Sequence, residues 1–120
     1  MEERFYQHDL KKLPSYAEFE YKHTKCIIKR NKIYGTLEGN IDISKFNFSE
    51  HDIKKLNDSV HGGLLNRNGN IIGFECRGVN DYVPLFGIVK VGPILYKDKE
   101  WVSTKIKNIV DYAISIKKID

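Results

Sequence analysis

The C-terminal stretch from Lys97 onward is the feature that most limits what this chain can fold into. A stripe of apolar side chains runs through it at the spacing of one helical face: Trp101, Val102, Ile106, Ile109, Val110, Ala113, Ile114 and Ile116. This spacing predicts an α-helix of about 18 residues. Asp98 and Glu100 near its start and Lys117-Lys118 near its end suit the helix dipole. The stripe needs a surface to cover it, and we expect one face of a sheet.

The first half of the chain favours extended structure. Polar and apolar residues alternate over Tyr16–Tyr21, and the run Cys26–Ile28 is apolar. Together they predict one or two strands between about residues 18 and 43. Two glycines interrupt the later part of this region, so the segment TLEGNID is predicted to be a turn or a bulge.

Two local signals predict a short helix and a hairpin. Ser49 opens a capping-box pattern, which predicts a helix from about Glu50 to Asn57. The apolar runs Val60–Leu65 and Ile71–Cys76 are separated by NRNGN. The Asn68-Gly69 pair within that spacer is typical of a tight turn, because both residues tolerate positive φ angles.

Length and composition indicate a single α+β domain. The 120 residues suit one domain, which we expect at residues 15–120 behind a charged N-terminal arm, residues 1–14, that is loose or forms a short helical turn. The domain is predicted to be an antiparallel sheet of about four or five strands, with the long C-terminal helix packed on one face and one short helix. No apolar run approaches the ~18 residues of a membrane span, and the N-terminus is too charged for a secretory leader.

Charge and cysteine usage narrow the range of partners. Twenty Lys and Arg against 16 Asp and Glu give a net charge of +4, which permits an anionic ligand but makes nucleic acid an unlikely partner. Cys26 and Cys76 belong to no CxxC pair, so we expect reduced thiols in a cytoplasmic protein. A short chain buries a modest core, which favours a homo-oligomer. No cofactor and no metal site is predicted.

Polar chemistry is concentrated around the predicted hairpin. The backbone can approach a ligand closely at Gly62-Gly63, directly beside the imidazole of His61. Counting outward from Asn68-Gly69 places His61 opposite roughly Cys76 or Arg77, so the segment RGVNDY should lie nearby. The predicted ligand-binding residues are His61, Gly62, Gly63, Arg77, Asn80, Asp81 and Tyr82.

These residue types suit a small anionic, nucleotide-like ligand. Arg77 and the glycine amides suit a phosphate, Asp81 suits a ribose hydroxyl, and Tyr82 suits a stacked base. Two catalytic interpretations stay open: His61 with Asp81 as a general base pair, or a metal held by these two and Cys76, although no recognised ligand spacing is present. A structural interpretation also stays open, because Gly-Gly can mark a β-bulge and a buried Cys commonly packs as a small apolar residue.

Several motifs resemble those of a family of small, uncharacterised proteins from phages and some bacteria. That family carries VHGGLT, then GFDCAHAGDY and a helix opening with YVxxE, preceded by a Cys-containing strand and GHPLYG. The matching segments here are VHGGLL at Val60–Leu65, GFECRGVNDY at Gly73–Tyr82, CIIKRNKIYG at Cys26–Gly35 and YKDKEWVSTKIKNIV at Tyr96–Val110. The resemblance implies a phage accessory protein. By analogy with other such proteins, it suggests sequestration of a host signalling nucleotide to counter host defence.

The departures from that family pattern favour binding over catalysis. Leu65 stands where the family has Thr, and CRGVND lacks the family's histidine but keeps Asp81. If the missing histidines are catalytic in relatives, this chain is inactive, whereas the two glycines and Tyr82 remain. We therefore expect non-catalytic binding in a pocket that a second subunit completes. The alternatives are a small hydrolase that uses His61 and Asp81 and an inhibitor that docks on a host protein.

Overall fold

The chain folds as an antiparallel sheet covered by one long helix, which confirms the predicted α+β class. The computed structural model describes residues 2–12, 15–59, 66–76, 81, 83–84 and 96–117. The elements in these ranges are helix α1 (Glu2–Lys12), strands β1 (Tyr16–Tyr21), β2 (Thr24–Arg30) and β3 (Leu37–Asp42), a 3-10 turn (Ser44–Phe46), helix α2 (Glu50–Ser59), strands β4 (Asn66–Asn68) and β5 (Ile71–Glu75), and helix α3 (Lys99–Lys117). Within these ranges no helix has both the length and the apolar character that crossing a lipid bilayer requires.

The sheet and α3 enclose the hydrophobic core between them. The strand order is β1-β2-β3-β5-β4, with every neighbouring pair antiparallel. Alternate residues of the inner strands point to one face, where they meet the predicted stripe of α3. The buried members include Cys26, Ile28, Leu37, Ile41, Ile72 and Phe74 from the sheet, and Val102, Ile106, Ile109, Val110 and Ala113 from the helix.

Strand β3 corrects the prediction that TLEGNID is a turn or a bulge. Four of its residues, 38–41, pair on both sides, with β2 and with β5, while Leu37 pairs with β2 and Asp42 with β5. A Cβ atom at Gly39 would lie 2.5 Å from Cζ of Phe74 and 2.9 Å from Cγ1 of Ile106. The glycine is therefore explained by an aromatic ring lying against the strand, and the chain does not reverse there.

A hairpin is present in the predicted region, but its turn lies one residue later than the sequence suggested. Its described first strand, β4, lies within the predicted spacer, and the predicted run Val60–Leu65 lies outside the described residues. Asn68 pairs with Ile71, so the two turn residues are Gly69 and Asn70. Gly69 has a φ of 62° at the first turn position, where a type II′ turn favours glycine. The count that placed His61 opposite Cys76 or Arg77 therefore started from the wrong turn centre, while His61 itself lies outside the described residues.

The capping box before α2 is confirmed. The backbone N–H of Asp52 donates to Oγ of Ser49 at 3.2 Å, and the backbone N–H of Ser49 donates to Oδ2 of Asp52 at 3.0 Å. Nζ of Lys117 lies 2.9 Å from the same carboxylate and ties the end of α3 to the start of α2. These bonds, led by the Ser49 backbone N–H, lower the pKa of Asp52 to about 2.

The predicted N-terminal arm contains a longer helix than the short turn that we expected. Helix α1 has 11 residues and buries Tyr6 and Asp9. The ring of Tyr6 meets that of Tyr96 edge-on, with centroids 5.6 Å apart. Residues 2–12 carry no apolar stripe, because this helix docks through one aromatic ring and polar groups.

Candidate functional site

One of the seven predicted ligand-binding residues, Asp81, lies within the described part of the chain. The other six lie outside it, so their roles stay predictions: His61, Gly62, Gly63, Arg77, Asn80 and Tyr82. The negative charge of Asp81 contributes to the raised pKa of Cys76, which places the carboxylate close to the end of β5. The site is therefore built outward from Asp81.

Asp81 forms an ion pair with a lysine that sequence reasoning missed. Nζ of Lys97 lies 3.5 Å from Oδ1 of Asp81, and the two side chains are only 13% and 16% exposed. A charge pair with so little solvent around it interacts more strongly than a surface pair. The carboxylate thereby offsets part of the positive charge at this end of the sheet.

Two ammonium groups flank the single tryptophan of the chain. Nζ of Lys97 lies 5.4 Å from the centroid of the Trp101 ring, and Nζ of Lys105 lies 5.1 Å from it. Lys105 also lies 4.4 Å from the centroid of Phe74, whose ring meets Trp101 edge-on at 6.3 Å. We call the following residues the Trp101 cluster: Phe74, Cys76, Asp81, Lys97, Trp101 and Lys105.

Helix α3 and strand β5 set the geometry of the Trp101 cluster. The backbone N–H of Trp101 donates to Oδ1 of Asp98 at 2.9 Å, which caps the first turn of α3. Lys97 and Lys105 lie four residues before and after the tryptophan, so all three side chains come to one side of the helix start. Phe74 lies buried beneath them in the space that Gly39 leaves open.

Burial lowers the pKa of Lys105. Desolvation is the largest cause, the positive charge of Lys97 lowers it further, and the groups at Cys76 and Asp81 oppose the shift. An ammonium in such surroundings gains more from an incoming anion than a solvated one does, because it has already lost part of its water. Lys105 is therefore the strongest candidate in the cluster for a contact with an anionic ligand.

Cys76 is a neutral thiol in this environment. Burial is the main cause that raises its pKa to about 12, and the charge of Asp81 adds to the shift. Nucleophilic attack requires the thiolate, which is scarce at neutral pH for such a group. Cys26, buried in the core, also has a pKa raised by desolvation, to about 11. Neither described thiol has the lowered pKa that nucleophilic catalysis by a cysteine requires.

A pair of carboxyl groups lies on the opposite face of the sheet. Glu38 of β3 and Glu75 of β5 stand directly opposite each other across the strands. Burial and a hydrogen bond with Glu75 raise the pKa of Glu38, whereas a bond from Asn31 lowers it. Nowhere in the described ranges do three or more His, Cys, Asp or Glu side chains come together in a way that could hold a metal ion.

Sequence reasoning assigned Trp101 to the buried stripe, but its side chain is 40% exposed. It lies at the border of the stripe, where the first turn of α3 leaves the sheet. The pattern Lys-x3-Trp-x3-Lys was a usable signal, since it predicts two cations on the same side of a helix as one aromatic ring. Without the fold, nothing in that pattern distinguished it from a solvated lysine-rich face.

The arrangement suits an anion that also carries an aromatic ring. A part-exposed indole ring offers a stacking surface, and ammonium groups offer charge-assisted hydrogen bonds to phosphate or carboxylate oxygens. No protein-family model, curated protein or solved structure matches the chain. Function therefore has to be inferred from the Trp101 cluster itself.

Proposed function

We propose that the protein binds a small anionic, nucleotide-like ligand at the Trp101 cluster and releases it chemically unchanged. The observation that carries this proposal is the pair of ammonium groups within 5.4 Å and 5.1 Å of one part-exposed indole. Asp81 forms an ion pair with Lys97 and its charge also acts on Lys105, so both ammonium groups lie close to one carboxylate. Base stacking on Trp101 and phosphate contact with Lys105 would use both features at once.

The residues predicted from the sequence belong to the same proposal. Asp81 connects the two sets, because it contacts Lys97 and belongs to the segment RGVNDY. In this proposal Arg77 and the amides of Gly62-Gly63 add phosphate contacts, and Tyr82 adds a second ring. His61 and Asn80 complete the lining, and a second copy of the chain closes the pocket.

The biological role that fits such a binder is removal of a free nucleotide signal. The resemblance to small phage proteins motivates this part of the proposal, in which the protein lowers the concentration of a host signalling nucleotide during infection. Sequestration needs tight binding and no turnover. It is therefore compatible with a cluster whose described thiol is neutral and whose described carboxylate is ion-paired.

The catalytic alternative, a small hydrolase using His61 and Asp81, has less support. Asp81 would have to orient the imidazole or accept a proton, yet its carboxylate is engaged with Lys97. To bind the imidazole, the carboxylate would have to give up its contact with Lys97. The direct discriminator is the state of the ligand after incubation. A binder returns the ligand intact on denaturation, whereas a hydrolase returns products.

A protein-docking function is favoured by one separate observation. Tyr112 is 49% exposed and lies eleven residues after Trp101, which places both rings on the same side of α3. Exposed aromatic side chains are enriched at protein interfaces. In this alternative the two rings contact a host protein, and no small molecule raises the melting temperature.

A thermal-shift panel combined with tryptophan fluorescence tests the proposal. The panel contains nucleoside mono-, di- and triphosphates, cyclic mono- and dinucleotides, the parent nucleosides and pyrophosphate. A nucleotide present at 100 times its Kd should stabilise the fold by about 2.7 kcal/mol, and it should also quench the emission of Trp101. Nucleosides and pyrophosphate, which each lack half of the ligand, should give smaller shifts.

The matched variants are Lys105→Gln and Lys107→Gln. Both remove a lysine from α3, but Lys107 is exposed and lies over Tyr21, outside the Trp101 cluster. Binding should weaken by roughly tenfold in the first variant and stay unchanged in the second. Equal losses in both would show that the ligand responds to overall charge alone, and the proposed site would then be wrong.

The pKa of Lys105 adds a pH signature. Because burial lowers it below the ordinary lysine value of 10.5, this ammonium loses its proton earlier than other lysines as the pH rises. As the pH rises, affinity for an anion should therefore begin to fall before the exposed lysines titrate. The Lys105→Gln variant should lack that limb of the pH profile.

A further inference from the structure

A buried polar network joins α1 to the segment that leads into α3. Arg30 of β2 donates from Nη2 to Oδ2 of Asp9 at 3.1 Å and from Nη1 to the Tyr96 hydroxyl at 2.8 Å. Nη1 also donates to the carbonyl of Gly35 at 2.9 Å, and the Tyr96 hydroxyl donates to Oδ2 of Asp9 at 2.6 Å. Three charged or polar side chains from distant parts of the chain thus share one buried site.

Two carboxylates of α1 also bind backbone N–H groups on either side of Lys97. The N–H of Tyr96 donates to Oε2 of Glu2 at 2.6 Å, and the N–H of Lys99 donates to Oδ1 of Asp9 at 3.1 Å. Lys99 is the first residue of α3, so Asp9 supplies a cap for α3 from another helix. Residues 96 to 99 are therefore held by α1.

Stability alone does not account for this network. Replacing a buried ion pair by well-packed apolar residues is commonly neutral or stabilising, so such a pair is weak evidence for a stabilising role. Hydrogen bonds are directional, however, and those to Tyr96 and Lys99 fix the backbone that carries Lys97. The next turn carries Trp101. Lys97 thus lies within the segment that these carboxylates hold, and Trp101 follows that segment by two residues.

We propose that α1 is a positioning element for the ligand site. Glu2 and Asp9 act as positioning residues that keep Lys97 and Trp101 in place, an inference that rests on the proposed function for its ligand-binding consequence. Release of α1 would leave the sheet and most of α3 intact but would loosen the first turn of α3. The site would then lose affinity without loss of the fold.

The test uses Trp101 as an internal reporter, since it is the only tryptophan in the chain. The variants are Tyr96→Phe, which deletes the bridging hydroxyl, Glu2→Ala, which deletes one backbone acceptor, and Asp9→Asn. Each is measured well below its melting temperature for the emission maximum of Trp101, its quenching by acrylamide, and the Kd of the best nucleotide from the panel. We expect acrylamide quenching to rise by about twofold and binding to weaken by about tenfold.

The control is Leu56→Ala, a cavity variant in α2. Leu56 is fully buried in the core and belongs neither to α1 nor to the Trp101 cluster, and its truncation lowers global stability. It should leave the emission and the quenching of Trp101 at wild-type values. If Leu56→Ala alters Trp101 as much as Tyr96→Phe does, general loosening explains the result and the inference is overturned.

The two proposals fail in distinguishable ways. If no nucleotide binds the wild-type protein, the proposed function is wrong, yet the acrylamide measurement still tests whether α1 positions Trp101. If Tyr96→Phe and Glu2→Ala leave both the fluorescence and the Kd unchanged, the positioning role is wrong while the binding site stands. Asp9→Asn is the most disruptive variant, so the other two keep the test informative if it does not fold.

Discussion

Two ion pairs lie close to the start of α3, and they are built differently. Asp9 and Arg30 are 5% and 4% exposed and lie 3.1 Å apart, with further bonds to Tyr96 and to backbone groups. Asp81 and Lys97 are three to four times as exposed and lie 3.5 Å apart, beside the part-exposed ring of Trp101. The first pair is enclosed by the fold, whereas the second borders a surface.

The two pairs differ in whether their charged groups remain able to contact a ligand. The carboxylate of Asp9 accepts three hydrogen bonds from groups of the protein, so an incoming ligand would have to break them. Lys97 shares its environment with a second cation, Lys105, whose pKa burial lowers. An anion placed between these two lysines would relieve their mutual repulsion. In the proposed roles, the enclosed pair holds the backbone before α3 in position and the bordering pair contacts the ligand.

Removing the carboxylate from the enclosed pair should produce the largest effect on stability. Asp9→Asn leaves the Arg30 guanidinium buried without its counter-charge, and breaking such a pair typically costs about 3–5 kcal/mol. Urea denaturation should therefore show a large fall in the free energy of unfolding. The double variant Asp9→Leu/Arg30→Met, which removes both charges, should recover much of that loss. If Asp9→Asn lowers the free energy of unfolding by less than about 1 kcal/mol, the Asp9–Arg30 pair behaves like a surface ion pair and does not differ from the Asp81–Lys97 pair.

The same change at the bordering pair should cost less. Asp81→Asn should lower the free energy of unfolding by about 1–2 kcal/mol, because Lys97 keeps its contact with the Trp101 ring and lies closer to solvent. The measurement is the same urea titration, run in parallel with the Asp9→Asn variant. Equal losses for the two variants would mean that the bordering pair is as enclosed as the other one.

The carboxyl pair Glu38–Glu75 provides a contrast to the two ion pairs. Removing one of its charges should change the free energy of unfolding by less, and should raise it. The folded-state pKa of Glu38 is raised above 4.5, so folding favours the protonated form and loses stability as the pH rises through the interval above 4.5. Glu38→Gln should therefore stabilise the protein at pH 7, by less than about 1 kcal/mol at this half-exposed position, where solvent screens the charge. Thermal melts at pH 4 and pH 7 measure the change.

Glu18→Gln is the matched control for that experiment. Glu18 is an exposed carboxylate whose pKa is lowered by Lys25 and by the Tyr16 hydroxyl, and it lies on strand β1, which β2 separates from β3. Its stabilising contribution is present above pH 4.5 and is lost as the pH falls through the lowered pKa. The glutamine variant should thus be neutral or slightly less stable at pH 7. Stabilisation in both variants would indicate a general charge effect.

The parts of the fold that the sequence predicted are those that local signals specify. The stripe of α3, the capping box at Ser49 and the hairpin around Gly69 each depend on residues within a few positions of one another. The segment TLEGNID was misassigned because Gly39 meets Phe74, 35 positions away in the chain. A glycine that long-range packing requires cannot be distinguished in the sequence from a glycine that a turn requires.

The candidate site was predicted less completely, for the same physical reason. Asp81 was identified from its neighbours in the segment RGVNDY, but its partner Lys97 lies on the far side of a long connection. The buried Asp9 was missed because its environment comes from β2 and from the segment before α3. Polar groups whose hydrogen-bond partners are distant in the sequence show no local pattern, so only the folded structure identifies them.

The ring of Phe74 occupies the place that a side chain at position 39 would take, and this has a consequence for related sequences. Any residue larger than glycine there would push the ring toward Lys105 and Trp101. Positions 39 and 74 should therefore change together during evolution, with a larger residue at 39 accompanied by a smaller one at 74. A related protein with this exchange would keep its sheet, but the apolar surface beneath Lys97 and Lys105 would have a different shape.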